Sequence, residues 1–426
     1  MSIVANLVKD IPIPRMVKVR QIFDPTQLEN VTEVLSEQLN QDQIKSLIKP
    51  GMSIAIAVGS RGVDKIAEIT ATTVKELKRF GAEPFIVPSM GSHGGANAQG
   101  QIDVLRQLGV TEETVGAPIR SSMEVNKIGE LPNGLPVYVD KYACEADGIV
   151  VINRVKPHTA FRGPIESGLM KMLAIGLGKQ KGAEACHQLG FKYMAENVPA
   201  MAKIIIEKLP VLFGIATVEN AFDKVLRLEV VLAKDIEKVE PKLLEEAKAR
   251  IPRLYFGQID VLVVDEIGKN ISGDGMDPNV VGRYPTPYAH GGPEVTKIVV
   301  LDLTEETEGN ANGIGTADFT TRYCVEKVDY DKIYANGLTS TVVAPTKIPT
   351  TLDNDRQALQ AAIKTSNILD FTKVRLVRIK NTLEVGVIEV SESMLPEVKN
   401  NPNLEVLSEP YEFEFDANGN LVRDYA

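Results

Sequence analysis

Four histidines and one unusually placed lysine hold most of the chemical potential of this sequence. The histidines are His93, His158, His187 and His290. An imidazole with an unperturbed pKa of ~6.5 gives and takes protons near neutrality, and either ring nitrogen can bind a metal. His93 stands in Pro88-Ser-Met-Gly-Ser-His-Gly-Gly95. Small residues there let backbone approach a ligand closely; the plainer reading is a tight turn. His158 stands in Arg154-Val-Lys-Pro-His-Thr-Ala-Phe-Arg-Gly163, and Lys171 in Glu166-Ser-Gly-Leu-Met-Lys-Met-Leu-Ala-Ile-Gly176. A lysine in so apolar a run is either a desolvated, nucleophilic amine or a snorkelling side chain with its ammonium in water.

Other candidates are weaker. Cys186 and His187 are adjacent, and helical neighbours diverge by ~100°, so the two do not share one metal. The sequence has no HxxxH, HExxH or CxxC, and so no protein-only zinc signature. Gly59-Ser60-Arg61-Gly62 and Gly176-Leu-Gly-Lys-Gln-Lys-Gly182 could each cradle a phosphate with backbone N–H groups and a cation, or be simple turns. Neither fits the Walker or GxGxxG patterns. Lys269 opens a glycine-rich run and could reach a carboxylate or be solvated. His290, in Tyr284-Pro-Thr-Pro-Tyr-Ala-His-Gly-Gly292, could line the same cleft.

The elements that must position these groups alternate. Residues 51–58 read as a buried parallel strand, 63–80 as a helix with Ile66, Ile69, Val74 and Leu77 on one face, and 83–87 as the next strand. A helix at 99–108 follows, then a strand at 148–153. Further strands are predicted at 211–216, 226–232, 261–265, 298–302, 374–380 and 385–390, with a charged helix at 240–250. The fold class is α/β: two Rossmann-like α/β domains with mainly parallel sheets and a cleft between them. The predicted division is 1–255, 256–395, and a tail at 396–426 packing back on the first domain. In open parallel sheets ligands collect beyond the carboxyl ends of the strands, so His93 and His158 should project from neighbouring strand ends into one cleft.

Composition narrows the function classes. A chain of 426 residues is long enough for two domains. A net charge of −10 argues against a general nucleic-acid binder, which needs a basic face. Three cysteines far apart, with no disulfide framework, suit a reducing, cytoplasmic setting. The first residues carry charges and prolines where a signal peptide needs an apolar run, and no stretch approaches the ~20 apolar residues of a membrane span.

The order of a strand-end His93, His158, Lys171 in Gly-Leu-Met-Lys-Met and then His187 resembles the nickel-dependent lactate racemase family. The resemblance covers most of the first domain and implies a racemase or epimerase of a 2-hydroxy acid. It implies a nickel-pincer nucleotide, a modified pyridinium mononucleotide holding nickel through two sulfurs and a carbon. Lys171 would anchor that cofactor covalently, His187 would ligate its nickel, and His93 and His158 would be the acid/base pair. Arg61 and Ser60 would contact the cofactor. Lys269, Arg162 and His290 are the substrate candidates. Enzymes that make the cofactor would be transient partners; neither nucleic acid nor membrane is implied. No acidic residue precedes Ser60-Arg61-Gly62, and Met276-Asp277-Pro278-Asn279 stands where a Tyr-Gln pair is expected. These departures leave the cofactor anchor in place and argue against lactate itself, and Arg162, four residues after His158, would pair with a second carboxylate or a polyhydroxylated tail, which suits a larger 2-hydroxy acid or sugar acid. The competing readings are a zinc- or iron-dependent hydrolase or lyase using the histidines directly, and a nucleotide or sugar-phosphate binding protein.

Overall fold

The computed structural model describes residues 3–60 and 62–423. The chain divides into a central unit, Asp24–Ile251, and a terminal unit built from Met1–Phe23 and Pro252–Ala426.

The central unit is organised on a five-stranded sheet. Its order is Glu83–Pro88, Ser53–Val58, Gly148–Arg154, Val211–Glu219, Val225–Leu232, and the first four strands are parallel. The last pairs antiparallel with Val211–Glu219. Ser53–Val58 is buried almost end to end, as a parallel strand covered on both faces must be. The helix Ile66–Arg79 returns over it, burying Ile66, Ile69, Val74 and Leu77 at helical spacing. A separate antiparallel ribbon pairs Val125–Glu130 with Pro136–Asp140; the sequence pattern did not reveal it. In chain order the four parallel strands lie 2-1-3-4. The winding direction therefore reverses between Ser53–Val58 and Gly148–Arg154, and the loops leaving these two strands diverge above that point.

The terminal unit carries an eight-stranded sheet in the order Thr350–Leu352, Phe319–Thr321, Glu294–Leu303, Gln258–Ile267, Leu376–Ile379, Val387–Ser391, Met16–Gln21, Leu404–Val406. The first five strands are parallel and the rest antiparallel. Two parts of the predicted division are corrected here. The first 23 residues do not belong with the first domain: Met16, Val17 and Val19 are fully buried in a strand paired with Val387–Ser391. The tail also packs on the terminal unit. Leu404–Val406 pairs with the same N-terminal strand, Tyr411 exchanges backbone hydrogen bonds with Met16, and Leu421 N–H bonds Asp355. These are pairings between the two ends of the chain, and no local pattern announces them.

Candidate active site

The site residues follow the carboxyl ends of the central parallel strands. Gly148–Arg154 runs out into an excursion that begins and ends at Lys156 and Ser167, whose backbones pair in both directions. The buried carboxylate of Glu166 organises the interior of this loop. It accepts from His158 N–H at 2.8 Å and from Arg162 Nη1 at 3.2 Å, and Lys248 Nζ lies 3.1 Å from its other oxygen. Arg162 also donates to the His158 carbonyl at 2.6 Å, so its guanidinium serves the loop that carries His158. The sequence reading pointed Arg162 at a substrate carboxylate.

The His158 ring packs against Phe161, with centroids 4.4 Å apart, and lies 6.2 Å from Phe191. Its two nitrogens have distinct partners. Ala160 N–H donates to Nδ1 at 3.0 Å, and Nε2 lies 2.8 Å from Lys171 Nζ. Burial, reinforced by the basic groups Lys171, His187, Lys156 and Arg162, holds the His158 pKa well below the usual imidazole range. The ring is therefore neutral at pH 7. Because Nδ1 accepts, the ring proton sits on Nε2, and the Lys171 nitrogen is the acceptor of that proton. An ammonium has no lone pair, so with the ring proton assigned to Nε2 this contact suits the uncharged form of the amine. That is the nucleophilic form.

Lys171 is fixed from both sides. Asn153, at the end of its strand, donates to the Gly168 carbonyl at 2.9 Å. Glu240, buried on the helix Ile236–Arg250, accepts from Met170 N–H at 3.0 Å. A side chain at Gly168 would place its Cβ 2.4 Å from Glu240 Oε1, so only glycine admits the carboxyl there. Directly after Lys171 the helix widens into a single π-turn, Met172–Gly176, closed by Leu177 N–H to Met172 C=O at 2.9 Å. Such turns recur at functional sites, and here one sits between the amine and the next helix.

That helix, Lys179–His187, ends in the third group. His187 Nδ1 lies 2.6 Å from the Ala183 carbonyl, one turn earlier, so Nδ1 carries the proton and the lone pair is on Nε2. An imidazole held through a carbonyl in this way is a common metal ligand. Burial lowers its pKa; the Ala183 hydrogen bond opposes the shift and the Lys171 charge adds to it. His187 contacts Phe191, with centroids 5.3 Å apart, so Phe191 lies against both the His158 and His187 rings.

His93 belongs to the loop after Glu83–Pro88, and Ser53–Val58 lies between that strand and Gly148–Arg154, so the two histidines do not follow neighbouring strands as the sequence pattern predicted. His93 is exposed, and Ser60 Oγ lies 2.5 Å from its Nδ1. Ser60, expected at the cofactor, thus also orients a histidine. The His93 loop packs on the π-turn, with Gly91 N–H bonding the Gly176 carbonyl at 3.2 Å. His158, Lys171 and His187 form one cluster, and His93 with Ser60 forms a second group beside it. Arg61 lies outside the described residues. Lys269 and His290 belong to the terminal unit; Lys269 Nζ donates to Gly273 C=O at 2.7 Å within its own loop, and His290 is exposed.

Several residues that hold the site escaped the sequence reading. Glu240 lies on a charged helix that reads as surface, Glu166 stands beside the apolar run of Lys171, and nothing in their spacing marks either as a buried carboxyl. Lys179 was visible only as part of a possible phosphate loop. Its side chain is instead fully buried and bonded to protein acceptors, so of the two lysines in that motif only Lys181 is exposed. Among the described residues no group of three or more His, Cys, Asp and Glu side chains is placed to hold a metal ion. No described helix is long and apolar enough to cross a membrane.

Residues 10–197 match the family model for the lactate racemase N-terminal domain, a span that includes His93, His158, Lys171 and His187. Two solved structures share the fold. One is the lactate racemase apoprotein from Thermoanaerobacterium thermosaccharolyticum, 13% identical, with a TM-score of 0.52 over 86% of this chain and 99% of that one. The other is a protein from Thermotoga maritima, also 13% identical, with a TM-score of 0.53 over 85% and 98%. No curated protein sequence matches the chain.

Proposed function

We propose that the chain, whose residues 10–197 match the model of the lactate racemase N-terminal domain, is a divergent member of that family and a racemase or epimerase acting on a 2-hydroxy acid. One observation carries the reading: Lys171 Nζ lies 2.8 Å from Nε2 of His158, whose Nδ1 already accepts from Ala160 N–H, a setting that suits an uncharged amine. Histidines working alone as acid and base have no need of an uncharged amine beside them. A covalent anchor does.

The resemblance assigns that anchor to a nickel-pincer nucleotide, and the residues fit the group on two counts. Lys171 presents a nucleophilic nitrogen on a segment held by Asn153 and Glu240. His187 directs its lone pair from Nε2, which suits a soft metal that takes most of its ligands from an organic pincer and one from protein. When bound, such a group would supply the hydride chemistry at the substrate α-carbon. The chain's own residues handle the proton. His158, with its proton on Nε2, and His93, oriented by Ser60, are the acid and base for the hydroxyl group. Two imidazoles let the reaction run in both directions. Ser60 and Arg61 contact the cofactor or substrate. Arg162, Lys269 and His290 remain the candidates for substrate contacts, and Arg162 would suit a hydroxy acid larger than lactate. A reducing cytoplasm keeps the three thiols as they stand, and the cofactor-making enzymes are transient partners.

The test is to co-express the chain with the cofactor-making enzymes. Intact mass is then measured, and a panel of single-enantiomer 2-hydroxy acids is followed by chiral chromatography. The expected result is a mass adduct in the wild type and none in Lys171→Ala. His93→Ala and His158→Ala should keep the adduct and lose interconversion by at least ~10²-fold. Equal masses for the wild type and Lys171→Ala would remove the anchor. Loss of the adduct in both histidine variants would contradict their assignment.

A further inference from the structure

The loop that carries His93 is held by three buried polar side chains to which no role has yet been given. Gln101, Lys179 and Asp140 are each fully buried. Gln101, on the helix Ala98–Gln107, donates from Nε2 to the Gly91 carbonyl at 3.0 Å and to the His93 carbonyl at 3.2 Å. Its Oε1 accepts from Lys179 Nζ at 3.0 Å. The same ammonium donates to the Pro88 carbonyl and lies 3.3 Å from Asp140 Oδ2. Two hydrogen bonds and a carboxylate at ion-pair distance thus surround the buried ammonium, which is how it avoids an unpaired charge. Asp140 is tied down in turn by Ala143 N–H at 3.0 Å.

The placement links two parts of the site. Lys179 opens the helix that ends in His187, and its backbone sits at φ 54°, a left-handed conformation that side-chain-bearing residues rarely adopt. Its ammonium holds Pro88, where the His93 loop begins. Through Gln101 it also holds the carbonyls of Gly91 and His93 itself. Gly91 N–H meanwhile bonds the carbonyl of Gly176, the last residue of the π-turn after Lys171.

We propose that Gln101 and Lys179 are positioning residues for His93, fixing its loop against the segment that joins Lys171 to His187. The proposal rests on the reading of His93 as an acid/base group. It also gives Lys179, within the Gly176–Gly182 motif, a structural purpose.

The decisive variant is Gln101→Glu. It is nearly isosteric and keeps an acceptor for Lys179, but it removes the N–H groups that hold the Gly91 and His93 carbonyls. Apo protein labelled with ¹⁵N-histidine gives four sets of ring signals, one per histidine, assigned with His93→Gln and His290→Gln. In Gln101→Glu the melting temperature should stay within a few degrees of wild type. The His93 ring signals should shift away from the Ser60-bonded form, and those of His290 should not move. Gln101→Met, which removes both polar ends at similar volume, should give the same shift. Unchanged His93 signals in either folded variant overturn the proposal. Loss of the fold in both overturns it too, because a positioning residue must be separable from folding. The measurement uses neither cofactor nor substrate. An absent adduct on Lys171 would therefore count against the racemase reading and leave this result standing.

Discussion

Replacing Glu240 by glutamine should change the way stability depends on pH, and the size of the change follows from the carboxyl's surroundings. Burial raises the Glu240 pKa from the ordinary 4.5 to about 7, and the N–H groups of Met170 and Leu169 offset this only in part. The folded-state value lies above the unfolded one, so between the two the folded protein holds a proton that the unfolded chain has released. The carboxyl's contribution is therefore fully present below pH 4.5 and is lost as pH rises through 7. The whole displacement corresponds to about 3 kcal/mol, of which about 2.5 kcal/mol falls between pH 5 and 8.5. Glutamine keeps the carbonyl acceptor for Met170 N–H and cannot ionise. The assay is urea unfolding of both proteins across that range by far-UV circular dichroism, reading the transition that the substitution moves, since two units need not unfold together. All other titrating groups are shared and cancel in the difference. The Glu240→Gln protein should gain about 2.5 kcal/mol on the wild type from pH 5 to 8.5. A difference that is flat with pH would refute the idea that a buried, ionising carboxyl holds the segment before Lys171.

Three further outcomes are expected. Burial pushes the thiols of Cys186 and Cys324 to about 12 and raises that of Cys144. Native protein at pH 8 should therefore react with iodoacetamide far more slowly than denatured protein, as counted by mass; fast native labelling of Cys186 would contradict its placement. Gly176→Ala would set a Cβ 2.8 Å from the Ser89 carbonyl and 2.6 Å from Met172 Sδ, and should destabilise the central unit by about 1–3 kcal/mol in urea unfolding. The His158 ring should show the Nε2–H tautomer in ¹⁵N spectra and remain neutral at pH 6. Its depressed pKa contributes stability that is present above 6.5 and lost as pH falls through the folded-state value. An imidazolium signal from His158 at pH 6 would refute the argument for an uncharged Lys171.

How much of this was legible from sequence divides along a physical line. The parallel strands of the central unit announce themselves as short apolar runs followed by glycine and polar turns. Ser53–Val58, Glu83–Pro88 and Gly148–Arg154 were each placed within a residue or two, and with them the strand-end positions of His93 and His158. Lys171 was legible as a choice between two environments, and its contact with His158 favours the buried one. What stayed hidden is long-range. Glu240 contacts Met170 across 70 residues of chain, and Lys179 contacts Pro88 across 91. The strand Met16–Gln21 pairs with partners more than 360 residues away. The π-turn is hidden for another reason: Met-Leu-Ala-Ile-Gly is a good α-helical sequence, and only the close packing around Gly176 is seen to accompany the extra residue.

Under the proposed reading, the pairing of Lys171 with His158 also explains how one site can serve two stages. Before attachment, the amine must be uncharged to act as a nucleophile, and His158 with its proton on Nε2 favours this form by offering a donor where an ammonium would need an acceptor. Once the Lys171 nitrogen is acylated its lone pair is delocalised and no longer accepts well. The His158 Nε2–H must then find another oxygen, and a substrate hydroxyl is the group the chemistry calls for. Ala160 N–H keeps the ring proton on Nε2 in both stages, because it occupies Nδ1 whatever Lys171 carries. The same histidine thus first keeps the anchor reactive and afterwards becomes available for proton transfer, without any change of tautomer and without movement of the strand that carries its loop.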